Sequence, residues 1–404
     1  MSANRRVGID WGSKTHQVCR IDGEGKAKQR SFEHTSAGLR ALVEFVIEGW
    51  ADRNSILVAI ETSQGPVVET LLSMGLRVYA INPKQEDRLR DRFSPAGAKD
   101  DRRDAFVLAS CVDTDAYAFR EVRAEDPGVL TLRGATRLRD DLMSERRAGS
   151  NRLWAEMRDY RPELLTLCPG ADEPWLWSLL EKTPRPQDAA KLTLARIDRV
   201  LKQHRIRRIK AEDLRALLRR DVLLLRPAYV ELRIPKVLFL VSKLKLIQAQ
   251  IVATEKEIVA IIEARKKSEE KNERRDTTIL ISLPGVGFVT VATALAESGR
   301  AFEERDYYAL RSLAGAAPVT IQSGTTRQVV MRRVCQPRLR HCWHQAAMRA
   351  IQIDPKLGAI YARARAAGQS SGRAIRNIID RLLWLAVQLL KKNVVYDIQL
   401  RQVA

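Results

Sequence analysis

The chain has 404 residues, which is enough for two or three domains that each have their own hydrophobic interior. Apolar residues make up 45% of it and charged residues 29%, a balance that excludes a wholly disordered protein. Its 70 lysines and arginines outnumber its 49 aspartates and glutamates, and the formal net charge is +21. We therefore expect a polyanionic partner.

Nucleic acid is a better match for this charge than a membrane surface. The amino terminus has no apolar signal region, and the uncharged stretch 277–296 contains Pro284, Gly285 and Gly287. These residues predict two short helices around a turn rather than a membrane span. The five cysteines are scattered and lack the close pairs of a zinc knuckle, which favours the reducing cytoplasm.

The first region alternates strand and helix patterns. Short apolar runs predict strands at 7–9, 16–21, 28–32, 56–60 and 76–81, with a hairpin turn at 22–25. Thr35 or Ser36 is expected to cap a helix that continues to Gly49. Three early strands followed by helix-linked strands predict an α/β domain with a mixed sheet.

The remaining chain has the pattern of helices. An arginine-rich helix is predicted after Pro127, and a long helix with apolar residues every three or four positions is predicted over 235–275. A helical tail is predicted from Ala374 onward. We therefore expect an α/β domain at 1–125, a helical coiled-coil region at 126–275 and a mainly helical domain at 276–404.

Four acidic residues of the first region are candidate metal ligands. Asp10 and Glu61 each end a predicted strand, where ligands of α/β sheets usually bind. Asp101 and Asp104 are three residues apart and share one face of a predicted helix. Carboxylate oxygens suit Mg²⁺ or Mn²⁺. The alternatives are a turn residue at Asp10 and helix capping at Asp101 and Asp104.

A glycine turn follows in the third region, in the sequence Leu283-Pro284-Gly285-Val286-Gly287. Backbone N–H groups of Gly285 and Gly287, aimed outward at a helix start, suit a phosphate and resemble a helix-hairpin-helix element. The alternative is a plain turn between core helices.

A serine beside a glycine, Ser323-Gly324, lies further along, after the segment Leu-Ala-Gly-Ala-Ala-Pro at 313–318. Arg327, Arg332 and Arg333 follow it, so the serine could attack or hold a phosphate. Chemistry alone does not distinguish it from other Ser-Gly turns.

The order of these motifs resembles a known family. V-G-I-D-W-G-S-K-T-H, A-I-E-T, K-D-D-R-R-D-A, L-P-G-V-G, L-A-G-A-A-P and S-G are similar to motifs of the DEDD transposases of insertion sequences, the bridge-RNA-guided serine recombinases. The resemblance covers about 6–159 and 277–365.

The resemblance implies a ribonuclease H fold of the RuvC type for the amino-terminal domain and a transposase domain at the carboxyl end. It also implies that Asp10, Glu61, Asp101 and Asp104 bind Mg²⁺ or Mn²⁺, and that Ser323 becomes joined to DNA. Asp100 stands where relatives often have threonine, which leaves a choice between Asp100 and Asp101. The D-x-x-D-A spacing favours Asp101.

The resemblance further implies donor and target DNA, a structured guide RNA and a homodimer that assembles to a tetramer as partners. It implies a cytoplasmic protein, associated with the nucleoid when active, without a membrane. Arginines and lysines of the middle helices would hold nucleic-acid backbones. Two rival interpretations remain: a hydrolytic RuvC-like nuclease in which Ser323 is structural, and a non-catalytic RNA-binding scaffold.

Overall fold

The computed structural model describes residues 5–50, 52–93, 100–124, 126–219, 225–271, 275–324 and 326–397. Lys99 and Thr325, which adjoin two of the motifs, and residues 272–274 of the predicted long helix lie outside the described residues. The chain forms two compact units, Met1–Asp126 and Pro127–Ala404.

The first unit contains a mixed sheet of six strands in the order β3-β2-β1-β4-β5-β6. Strand β1 pairs in parallel with β4 and β4 with β5, whereas β2, β3 and β6 join antiparallel. The elements are β1 (Arg5–Trp11), β2 (Thr15–Ile21), β3 (Ala27–Glu33), α1 (Ser36–Ile47), β4 (Ile56–Ile60), α2 (Pro66–Ser73), β5 (Arg77–Ala80), α3 (Pro83–Phe93), α4 (Asp101–Cys111) and β6 (Arg120–Val122).

The five predicted strands and the predicted mixed sheet are confirmed. Alternating side chains explain why both faces of the sheet carry helices. Val7, Ile9 and Val58 belong to a core with α1 and α2, while Leu57 and Ala59 pack with α4 on the opposite face. This arrangement is consistent with a ribonuclease H-like amino-terminal domain. The short strand β6 and the helix α3 were not predicted.

The second unit is helical apart from one β-hairpin, within the part of it that the structure describes. Its elements are α5 (Pro127–Tyr160), α6 (Pro162–Leu165), α7 (Pro174–Lys182), α8 (Pro186–Ala190), α9 (Leu194–Gln203), α10 (Ala211–Arg219), α11 (Pro227–Lys271), α12 (Asp276–Ser282), α13 (Phe288–Glu303), α14 (Tyr307–Leu313), β7 (Pro318–Ser323), β8 (Thr326–Met331), α15 (Pro337–Ile353), α16 (Pro355–Ala366) and α17 (Ser371–Lys392). Several of these helices begin with proline, whose missing N–H and fixed φ suit the first helical position. The antiparallel β7–β8 hairpin was not predicted.

The long helices α5 and α11 pack along each other and take part in two cores. Leu153 of α5 and Val241 of α11 belong to a core with α6–α10. Leu132 of α5 and Ile258 of α11 belong to a second core with α12–α17. The unit therefore includes both the predicted middle region and the predicted carboxy-terminal domain. Helix α11 begins at Pro227, eight residues before the predicted start, and contains Pro235 in its interior.

Several arginines of α5 bind protein groups within the second unit. Arg133 donates to the Ala296 carbonyl at 2.6 and 2.9 Å, and Arg137 donates to both carboxylate oxygens of Glu297. Arg139 and Arg146 bind Glu255 and Gln248 on α11. The expectation that the arginines of this helix serve nucleic acid is therefore wrong for these four, while Arg147 and Arg152 are exposed.

Helix α11 has the length and composition of a membrane-spanning helix, with a mean hydropathy of 1.5 over its best window. In this structure 39% of that window is buried. Val237, Val241 and Leu244 are fully buried in the core that α11 shares with α5 and α7. Such packing is typical of a core helix, which passes the same hydropathy test.

Candidate active site

Helix α4 lies directly on strand β1 at Gly8. A Cβ atom at Gly8 would lie 2.8 Å from Leu108 Cβ and still closer to the Ala105 carbonyl oxygen and the Ala109 nitrogen. Only a glycine permits this approach, because any side chain would push the helix off the sheet. The close contact fixes the position of α4, and with it Asp104, over the middle of the sheet.

Asp10 and Glu61 lie side by side at the carboxyl ends of two neighbouring parallel strands. The residues before them, Ile9 and Ile60, are paired in the β1–β4 register. Asp10 follows Gly8 by two positions, so its side chain leaves the sheet on the face that α4 covers. Both acids are half-buried. The structure therefore brings together the two acids that the sequence placed at strand ends.

Asp104 is buried, with 1% of its surface exposed, and forms an ion pair with Arg90 of α3. The Arg90 Nε donates to Asp104 Oδ1 at 2.7 Å, and the same guanidinium lies 3.5 Å from Glu86 Oε1. The other Asp104 oxygen, Oδ2, is buried and has no hydrogen-bond partner among the residues that the structure describes. A single guanidinium is thus shared by two buried carboxyl groups, and one carboxylate oxygen remains unsatisfied.

Glu86 is the central acid of this group and was not among the predicted site residues. Its side chain is 2% exposed, and after burial Glu61 contributes most to its pKa. Burial, followed by the Glu61 hydrogen bond and the charges of Glu61 and Asp104, raises the pKa of Glu86 to about 9. Glu86 is therefore neutral at pH 7.

Asp100 and Asp101 have different roles at the start of α4. Asp100 is extended, with φ −148° and ψ 127°, and its carboxylate accepts a hydrogen bond from the Arg102 N–H, so it caps the helix. Asp101 is the first helical residue and is exposed. Asp101 and Asp104 are the acids of the first turn, so both the dipole interpretation and the metal-ligand interpretation of these two residues fit their position.

The acids of this site suit a hard divalent cation in their chemistry. Carboxylate oxygens are the donors that Mg²⁺ and Mn²⁺ prefer, and the unsatisfied Asp104 Oδ2 is a vacant acceptor among acids that repel each other. Among the residues with described positions, no three acidic, histidine or cysteine side chains already converge at metal-binding distance. Arg90 is the counter-charge that the structure provides.

Ser323 is exposed at the tip of the β7–β8 hairpin in the second unit. It pairs with Thr326 across the turn, and Gly324 adopts a positive φ of 55°. Arg327 is exposed on the opposite strand, beside the tip. Arg332 and Arg333 lie beyond the end of β8, at the base of the hairpin. The serine hydroxyl is therefore open to a large substrate.

The segment 313–318 supports this hairpin from below. Gly315 has a φ of 68°, and a Cβ there would lie 2.8 Å from Arg340 Nε. Arg340 passes beneath Gly315 and donates to the carbonyl oxygens of Arg332 and Arg333 at 2.8 and 3.3 Å. The glycine of the L-A-G-A-A-P motif thus makes room for the arginine that holds the end of β8.

The predicted turn between α12 and α13 is present, and its two glycines differ. Gly285 has a φ of 76° and packs on α15, since a Cβ would lie 2.6 Å from the Ala350 nitrogen. Gly287 is exposed, precedes the first residue of α13, and has open space around it. Only the Gly287 side of the turn faces outward.

The sequence did not identify Glu86 and Arg90 as site residues, because acidic and basic residues with this spacing are common on exposed helices. Their spacing of four residues on a highly charged helix is the pattern of an exposed salt bridge. Nothing in the sequence distinguishes a buried acid of α3 from the exposed Asp87 beside it.

Comparison with known proteins gives matches over both units. Residues 7–162 match the IS110-type DEDD transposase family, and residues 277–362 match the transposase family IS116/IS110/IS902. The "Mini-circle putative transposase for IS117" of Streptomyces coelicolor is 32% identical over 93% of this chain and 91% of its own length.

Two further relatives are similar to this chain. "Putative transposase y4uE" of Sinorhizobium fredii is 44% identical over 51% of this chain and 58% of its own length. The "Insertion element IS110 uncharacterized 43.6 kDa protein" of Streptomyces coelicolor is 25% identical over 97% of this chain and 95% of its own length.

Proposed function

Since this chain belongs to the IS116/IS110/IS902 family of transposases, we propose that it recombines the DNA of an insertion sequence through a covalent serine–DNA intermediate. Ser323 is the proposed nucleophile, and a guide RNA is proposed to select the donor and target DNA. The observation that carries the proposal is the position of Asp10 and Glu61 at neighbouring strand ends, in a sheet whose strand β1 packs against α4, the helix that carries the buried Asp104.

In the proposed reaction the Ser323 hydroxyl loses its proton to solvent as its Oγ attacks a DNA phosphorus atom. A serine–phosphate ester forms, the bond from phosphorus to one deoxyribose oxygen breaks, and that oxygen takes up a proton as it leaves. One phosphodiester replaces another, so the strand can be rejoined without ATP. The exposure of Ser323 at a hairpin tip supports this role, because the phosphorus of a duplex must reach the hydroxyl.

We propose that Asp10, Glu61, Asp101 and Asp104 hold Mg²⁺ or Mn²⁺. A bound divalent ion would supply Lewis-acid stabilisation of the charge on the phosphoryl oxygens. The unsatisfied Asp104 Oδ2 supports this assignment, whereas Arg90 neutralises the same carboxylate through its other oxygen. Glu86 is proposed to orient Glu61 through a hydrogen bond, which is also a cause of its raised pKa.

The direct test is the formation of a protein–DNA adduct that survives denaturant, with guide RNA, DNA and Mg²⁺ present. Ser323→Ala should abolish both the adduct and strand exchange. Thr326→Ala, on the paired position of the same hairpin, is the matched control and should retain both. A Ser323→Ala protein that cleaves at the wild-type rate would instead favour the hydrolytic nuclease.

A second test addresses the carboxylates. Asp10→Asn and Asp104→Asn should each lower strand exchange by about 10- to 100-fold or more, since loss of a residue that only supports a metal ligand already costs 10- to 100-fold. Full recombination by both variants in Mg²⁺ would contradict a catalytic role for these carboxylates.

We also propose that the protein acts as a homodimer that assembles to a tetramer in the cytoplasm, associated with the nucleoid. Mixing Asp104→Asn with Ser323→Ala should then restore strand exchange if one protomer supplies the acids and another the serine. No recovery in verified mixed oligomers would contradict shared active sites.

The guide RNA is the proposed source of sequence selection. The net charge of +21 supports a contact dominated by phosphates. RNA affinity should therefore fall steeply with salt, with a slope of about −0.7 to −0.9 per neutralised phosphate on logarithmic axes. A flat salt dependence would contradict the proposal.

A further inference from the structure

A cavity of about 220 Å³ lies at the base of the β7–β8 hairpin, away from the Ser323 tip. It is enclosed by the loop after α14, the last residues of β8 and the first turns of α17. Its polar lining residues are Arg311, Arg332, Arg373, Arg376, Asn377 and Asp380. Arginine is the dominant polar side chain among them.

The one acid in this lining is fully engaged with its neighbours. Asp380 binds Arg311 through both carboxylate oxygens, at 2.9 and 3.0 Å, and accepts a hydrogen bond from the Tyr307 hydroxyl at 2.8 Å. Burial and this hydrogen bond raise the pKa of Tyr307 to about 12, so the hydroxyl remains a donor. Asp380 thus neutralises the charge of Arg311, and the positive charges of the other lining arginines are not neutralised by it.

Three lining arginines have no acidic partner among the residues with described positions: Arg332, Arg373 and Arg376. The Arg332 Nε is buried without a hydrogen-bond partner, as is the Nε of the adjacent Arg340. The Arg376 guanidinium is held by one contact with Met331 Sδ at 3.3 Å. Burial, together with the charges of Arg340 and Arg373, lowers its pKa.

Such a cluster costs folding energy, because like charges repel and buried donors remain unsatisfied. An anion with several oxygens would compensate both costs. Guanidinium groups present paired N–H donors in a plane that matches phosphate oxygens. The cavity is therefore suited to a phosphate group.

We propose that this cavity, which we call the basal arginine pocket, binds one backbone phosphate of the nucleic acid on which the protein acts. The inference rests on the proposed function, because the hairpin over the pocket carries Ser323. Pro318 lines the pocket and is five residues before Ser323, which is about 17 Å along an antiparallel strand. The pocket and the serine hydroxyl therefore contact different phosphates, and the pocket positions the strand rather than reacting with it.

The test compares the double variant Arg373→Gln/Arg376→Gln with Arg381→Gln, which removes an exposed arginine from the same helix. Binding of a DNA duplex and of the guide RNA is titrated separately over a series of salt concentrations. Loss of one phosphate contact should reduce the salt slope by about 0.9 for the DNA duplex or about 0.7 for single-stranded RNA. A change with DNA alone identifies a DNA phosphate, and a change with RNA alone identifies an RNA phosphate.

Thermal unfolding separates a binding role from a structural one. The double variant should melt at or above the wild-type temperature, since it removes mutual repulsion. Inorganic phosphate should raise the melting temperature of the wild type and of Arg381→Gln above that in chloride of equal ionic strength, but not that of the double variant. The proposal is overturned if the double variant binds both nucleic acids like Arg381→Gln, or if it unfolds at a clearly lower temperature.

These outcomes are independent of the serine chemistry. If Ser323→Ala still exchanges strands, Ser323 is not the nucleophile, but the binding and melting tests of the basal arginine pocket keep their meaning. If the pocket variants bind normally while the Ser323 adduct forms, only the pocket proposal fails.

Discussion

Replacing Gly8 with alanine should move the acids of the first unit without removing any of them. The new Cβ would lie 2.8 Å from Leu108 Cβ and closer still to two backbone atoms of α4. Backbone atoms cannot rotate away, so the whole helix must shift by about 1 Å to restore ordinary contact distances near 3.5 Å. Overpacking of this kind costs about 3 kcal/mol, or roughly 10 °C in melting temperature for a unit of this size.

The same shift moves Asp104, which lies on α4 one residue before the Ala105 contact. Misplacement of a catalytic group by about 1 Å costs on the order of 100-fold in rate. Strand exchange should therefore fall by about that factor in samples kept well below the new melting temperature. Gly134→Ala is the control, since a Cβ at Gly134 meets nothing within 4 Å, and this variant should melt at or above the wild-type temperature. Wild-type stability and activity for Gly8→Ala would refute the close packing of α4 on β1.

Three further predictions concern the same group of acids. Asp100→Ser should keep the helix cap and strand exchange, whereas Asp101→Asn should lose exchange by about 10-fold or more, and equal activities would contradict the proposed role of Asp101 as a metal ligand. The pKa of Glu86 is raised from 4.5 to about 9, so its ionisation opposes folding between these two pH values. The free energy of unfolding of the wild type in metal-free buffer should therefore fall by about 1.4 kcal/mol for each unit that the pH rises in this range. Urea unfolding at pH 6 and pH 8 should show a loss of about 3 kcal/mol that Glu86→Gln lacks, and parallel losses in both proteins would contradict the raised pKa. Arg90→Gln leaves Asp104 without its counter-charge and should lower the free energy of unfolding by about 3–5 kcal/mol in the presence of chelator. Mg²⁺ should raise the melting temperature of this variant more than that of the wild type. An equal rise in both proteins would argue against a metal at Asp104.

Much of the sheet was predictable because its signals are local. The apolar runs at 56–60 and 76–81 and the turn at Asp22–Gly25 mark strands by composition alone, and they appear where expected. The positions of Asp10 and Glu61 at strand ends were also predicted, whereas their place at the ends of two neighbouring strands depends on the parallel β1–β4 pairing that the structure adds. The predictions of strands and strand ends needed no knowledge of distant contacts.

The missed features depend on tertiary packing. Glu86 is an active-site neighbour because α3 lies beside α4, and its charged sequence gives no sign of burial. The Ser323 hairpin has little buried surface, so its strands lack the apolar alternation that predicts a sheet. Arginines of α5 were assigned to nucleic acid because their acceptors, such as Ala296 and Glu297, lie about 160 residues away in the chain.

The central claim is that the acids of the first unit and the serine of the second serve one reaction. Its most direct measurement is the yield of the Ser323–DNA adduct, located by mass spectrometry of the linked peptide, for the wild type and Asp104→Asn. The account predicts a phosphoserine linkage at Ser323 in the wild type with Mg²⁺, and almost none with chelator or in Asp104→Asn. An undiminished adduct in Asp104→Asn, or a linkage at another residue, would contradict it.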